Sequence, residues 1–236
     1  MLTRMAIRSA AETFWAAAGG RSAYGNPVQI DAAVVRTLPV GICRVAGLTT
    51  QNAGLILRRA GVWVVLPGTT RALRGCLIAD VGVGFILVDG DDSEEEQRVT
   101  IAHELAHFLL HYLALRQAAL TGLGSHMVAV LDRTRSPTQA ELFSSALRDL
   151  PLAPFRHAMV RGGSPPHGRI AVMEAEADDL GIELLAPWQQ VRTLATPDRD
   201  AIATQFGLPP AIAQRLAMMV TRSDTEIGVT GLFGIR

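Results

Sequence analysis

Apolar residues recur at helical spacing over residues 2–18, 31–37 and 49–60, with Thr49 or Thr50 placed to cap the third helix. The period then changes. Residues 61–66 form a β-branched run closed by Pro67-Gly68, and two further runs, 76–79 and 83–88, complete a small antiparallel sheet of about three strands on ordinary strand lengths. In the acidic connector 91–96, Ser93 and Glu96 have the spacing of a capping box, so a helix opens there. Thr138 with Glu141 opens another, to about Leu147. Pro151, Pro154, Gly162, Gly163, Pro165, Pro166 and Gly168 then mark a long irregular loop, a candidate lid. A helix over residues 173–185 stops at Pro187, and 197–219 reads as two short helices broken at Gly207.

A chain of 236 residues suits one main domain with small appendages. We read a basic helical segment over 1–48, a core over 49–190 with an insert at about 113–169, and a helical segment over 191–236. Hydrophobic residues at 49% and charged residues at 19% mark a globular protein. The longest apolar stretch, 76–88, is interrupted by Asp80 and is too short to cross a membrane. Glu12 sits inside the first apolar stretch, which makes it an amphipathic helix and not a secretory signal. Cytoplasmic residence is the expectation, and two cysteines, Cys43 and Cys76, fit a reduced compartment. Net charge is zero, yet residues 1–75 are arginine-rich while 80–96 are acidic and carry no base. That asymmetry permits a nucleic-acid contact, although scattered solvated arginines explain it as well.

The chemistry centres on His103-Glu104-Leu105-Ala106-His107, an H-E-x-x-H motif. Helix positions four apart lie roughly 6 Å apart along the axis and about 40° around it, so both imidazoles reach one ion. Glu104 is rotated to one side, beside the water that such an ion would hold. The flanking Ala102, Leu105, Ala106 and Leu109 are apolar, which buries the helix. Catalytic zinc generally takes three protein ligands. His111 stands two turns from His103, roughly 12 Å along the axis, which is too far to share its ion. On the helix over 173–185, Glu174 and Asp178 lie beside the apolar arc of Met173, Ala177 and Leu180, whereas Glu176, Asp179 and Glu183 occupy the opposite, solvated side. Glu174 is therefore the third ligand, and Asp178 accepts an N–H from a ligating histidine. These residues point to zinc-assisted hydrolysis with Glu104 as general base.

Residues 98–111, followed by Glu174-x-x-Ala177-Asp178 and Leu184-Leu185-Ala186-Pro187, resemble the ImmA/IrrE family of bacterial metallopeptidases. The resemblance implies an α+β fold: a zincin-like core with its small antiparallel sheet packed on the H-E-x-x-H helix and a glutamate-bearing helix. It also implies a zinc endopeptidase that cuts a helix-turn-helix repressor and so releases stress, mobile-element or antiphage genes. The insert 113–169 departs from the family pattern. So do the arginines of residues 1–60, where activation by nucleic acid is an open expectation.

Residues 200–216 carry helix-turn-helix spacing with Gly207 at the turn, but only Gln214 and Arg215 offer base or phosphate contacts, which favours a structural or docking role; a DNA-binding regulator or a nucleic-acid-activated sensor with a structural metal is the alternative. Cys76, opening a strand near the expected cleft, is either a small buried residue or a thiolate that caps the metal and keeps the enzyme latent.

Overall fold

The structure is a computed structural model that describes residues 1–59, 61–62, 69–143, 153–163 and 165–232. Among the described residues the chain runs through α1 (Arg4–Ala17), α2 (Ile30–Thr37), β1 (Val40–Val45), α3 (Thr50–Arg59), β2 (Leu73–Asp80), β3 (Val83–Asp89), α4 (Glu94–His107), α5 (Ala114–Leu123), α6 (Val128–Leu131) and α7 (Gln139–Phe143). Then come β4 (Phe155–Val160), α8 (Gly168–Leu185), α9 (Trp188–Arg192), α10 (Arg199–Phe206) and α11 (Pro210–Leu232). The strand expected over 61–66 and the end of the helix expected over 138–147 fall largely outside the described residues.

The sheet differs from the expected antiparallel three strands. Among the described residues it has four, in the order β1-β3-β2-β4, and β1 runs parallel to β3 while the other pairs are antiparallel. Two of its strands escaped the sequence reading. In β1, Gly41 and Cys43 interrupt the β-branched signal, and β4 sits inside the Pro/Gly-rich stretch read as loop. Pairing with a neighbour, not local propensity, makes both of them strands. β2 and β3 turn through Val81 and Gly82, both at positive φ as a tight hairpin of this hand requires.

The period-two alternation of β2 and β3 separates two cores. Leu77, Ala79, Ile86 and Val88 face α4, and Cys76, Ile78 and Leu87 face α3 with Leu48 and Leu57. β2 approaches α4 so closely at Gly75 that a Cβ there would collide with the Thr100 side chain. On its other flank α4 meets α8 at Gly181, whose Cβ would stand 3.2 Å from backbone atoms of Ala102 and His103. Held between sheet and helix, α4 is buried from Thr100 to His107. The larger core also draws Phe14 and Trp15 of α1, Val34 of α2, Leu180 and Leu184 of α8, and Ile202, Phe206 and Leu216 of the C-terminal helices. Among the described residues, no helix is long and apolar enough to cross a membrane.

Candidate metal centre

Ser93 caps α4 as its spacing predicts, its Oγ accepting from the Glu96 N–H at 3.2 Å. The acidic first turn, Glu94–Glu96, complements the positive end of the helix. Two turns on, His103 and His107 turn their Nε2 atoms toward one another, 3.1 Å apart. From α8, Glu174 brings Oε2 to 3.4 Å from His103 Nε2 and Oε1 to 3.6 Å from His107 Nε2. Ligands about 2.0–2.1 Å from a shared ion at tetrahedral angles stand roughly 3.3–3.4 Å from one another. These three spacings bracket that value, so the donor set fits a metal of zinc's size.

The structure adds a residue the sequence reading missed. His157 on β4 joins His103, His107 and Glu174 in a group whose donor atoms all lie within 4.8 Å of one another. Its Nε2 is 2.9 Å from Glu174 Oε1, its Nδ1 is 2.8 Å from Glu104 Oε2, and its ring stacks on His107 with centroids 3.9 Å apart. Nothing local announced it. His157 lies 50 residues beyond His107 in a segment read as loop, and the pairing of Leu77 with His157 across the sheet is what carries it to the site.

Glu104 is fully buried, and its Oε1 has no hydrogen-bond partner among the described residues, which fits a group positioned to work on water beside the metal. Burial alone would push its carboxyl up. The positive His157, with His103 and His107, overcomes this and holds Glu104 below the ordinary carboxylate range. Glu174, likewise opposed by burial, is held far below that range by the three histidines gathered around its carboxylate. Burial also disfavours charge on the imidazoles, but His103 is lifted to about 9 by Asp178 and Glu174, and His157 to about 10 by Glu104 and Glu174. His107, where burial outweighs the nearby Glu174 carboxylate, falls to about 4.

Asp178 stands where the helical-wheel argument puts it, its Oδ1 2.9 Å from His103 Nδ1. Glu176 does not. Read as solvated, its side chain is 13% exposed and reaches His111 Nε2 at 3.3 Å. The wheel considers one helix at a time, and here His111 and the start of the chain cover that side of α8. His111 stays out of the donor group, as its distance from His103 requires. Cys76 is also outside the group and is buried in the α3-side core; burial and the nearby Glu104 charge push its thiol up to about 12, so the latency reading is withdrawn.

No curated protein and no solved structure shows significant similarity to the chain. Residues 57–163, a little under half of it, match the peptidase M78 family by its IrrE N-terminal-like domain. That stretch holds His103, Glu104, His107 and His157, while Glu174 and Asp178 follow it. The likeness first carried by H-E-x-x-H thus extends over β2, β3, β4 and most of the insert, and over residues 57–163 the chain is similar to the IrrE N-terminal-like domain of the peptidase M78 family.

Proposed function

We propose that the protein is a zinc-dependent endopeptidase in which His103, His107 and Glu174 hold the metal and Glu104 is the general base. The observation that carries this reading is the fully buried Glu104, one oxygen bonded to His157 and the other without a partner among the described residues, beside donors spaced for one ion. Imidazoles with one carboxylate suit zinc well. When bound, the ion supplies a Lewis acid for the scissile carbonyl and acidifies water. Glu104 accepts the proton of the attacking water and returns it to the leaving amine. His157 holds the Glu104 carboxylate in place, and Asp178 fixes the His103 ring through Nδ1. The buried flanks of α4 exclude bulk water, which strengthens each of these interactions.

The substrate we propose is a helix-turn-helix repressor, and the place of action the cytoplasm; both rest on the family resemblance. The test is cleavage of a peptide library and of a purified repressor by zinc-loaded protein, read by mass spectrometry. Glu104→Gln should keep its metal and lose about 10²–10⁴-fold in rate, the usual contribution of a general base. Undiminished cleavage by Glu104→Gln rejects the mechanism, and cleavage of peptides but never of a repressor rejects the substrate.

One observation favours a second reading. His157 offers a fourth protein donor, and four protein ligands make a closed, structural metal site. Such a protein is a DNA-binding regulator acting through the α10–α11 pair, where Gly207 adopts the left-handed turn and Gln214 and Arg215 are exposed. Salt-sensitive binding to duplex DNA, with unfolding on chelation and no hydrolysis, selects it.

A further inference from the structure

Immediately after His107 the chain leaves α-helical geometry for a π-helical turn, Phe108–Leu113. Such turns are rare and gather at functional sites. This one carries His111, which is buried and does not belong to the donor group. Its Nδ1 lies 2.9 Å from His107 Nδ1, and its Nε2 lies 3.3 Å from Glu176 Oε2. Glu176 is fixed in turn, its Oε1 accepting the Leu2 N–H at 2.6 Å.

We infer that His111 and Glu176 form a positioning pair that holds metal ligand His107 in the tautomer and ring orientation the metal requires. This rests on the metal-site reading above. The argument is a proton count. His107 Nε2 faces His103 and Glu174, so its lone pair is the one offered to a metal. A neutral imidazole has one N–H, which must then sit on His107 Nδ1. Only one proton fits between two nitrogens 2.9 Å apart. Hence His111 Nδ1 accepts, His111 carries its own proton on Nε2, and that proton goes to Glu176. A single assignment satisfies every polar atom from Nε2 of His107 to the carboxylate. The two ligand imidazoles are thus backed differently: His103 by a carboxylate directly, His107 through a neutral ring to a carboxylate. The function of each backing is the same, because outer partners of this kind orient the ligand and raise its basicity.

The experiment is zinc affinity by competition with a chromophoric chelator, with unfolding of the metal-free protein followed alongside. His111→Leu, which removes the acceptor, is expected to weaken zinc binding about 10–100-fold. His111→Asn, whose amide oxygen takes the place of Nδ1, restores most of it. Glu176→Ala, which leaves the His111 ring in place, is expected to weaken binding about tenfold and serves if His111→Leu does not fold. Long-range ¹⁵N correlation spectra of zinc-loaded protein should show the Nδ1–H form for His107 and the Nε2–H form for His111. Parental affinity in both His111→Leu and Glu176→Ala, or an Nδ1–H form at His111, overturns the pair while leaving the metal site standing. A parent that binds no zinc overturns the metal-site reading itself.

Discussion

Gly181 is where α8 touches α4, and replacing it with alanine tests whether that contact sets the metal centre. A Cβ at this position would stand 3.2 Å from Ala102 C and His103 N and 3.3 Å from Ala102 O. All three neighbours are backbone atoms of a buried helix, so none can rotate away. Restoring ordinary contact requires α8 to recede by roughly 0.3–0.5 Å, and overpacking of this kind costs about 1–3 kcal/mol. Glu174 lies seven residues earlier on the same helix, about 10 Å along its axis, and moves with it. Metal–ligand distances tolerate about 0.2 Å, so the shift withdraws the carboxylate from its partners. If about 1.4 kcal/mol of the cost is expressed in the loaded state, zinc affinity falls about tenfold. Chemical denaturation and chelator competition measure the two effects. Gly163→Ala is the control, since its Cβ would meet Val160 at an ordinary 3.7 Å. Parental stability and affinity in Gly181→Ala would refute the claim that helix apposition places Glu174.

The metal-free site also predicts a linkage with pH. His103 at about 9 carries a proton near pH 7, and a metal takes only the unprotonated ring. Zinc binding near pH 7 should therefore release protons, seen as buffer-dependent heats in calorimetry, and tighten as pH rises toward 9; buffer-independent heats would contradict this. Because the folded pKa of His103 lies above its unfolded value of about 6.5, its contribution to metal-free stability is full below that pH and is lost as pH rises through about 9. Cys76, buried and pushed up to about 12, should resist a thiol reagent until the protein unfolds, while half-buried Cys43 reacts. Rapid native labelling of Cys76 would show that the α3-side core opens.

The linear sequence determined what depends on neighbours along one helix. H-E-x-x-H spacing brings His103 and His107 together on any α-helix, Ser93 must cap a helix that begins where α4 begins, and the wheel of α8 turns Glu174 toward the α4 histidines and leaves Asp178, 66% exposed, within reach of His103. It failed where the deciding neighbour is distant in the chain. The residues from 155 to 160 have no strand signal strong enough to outweigh the surrounding prolines and glycines, and only pairing with β2 makes them a strand and delivers His157 to Glu104. Glu176 looked solvated because its cover, His111 and the chain's first residues, comes from other elements. The parallel β1 likewise owes its place to β3 and not to its own pattern. Local spacing singled out His103, His107 and Glu174, and tertiary packing added His157 to that group and decided which other residues surround and orient it, because burial and long-range hydrogen bonds exist only once the elements meet.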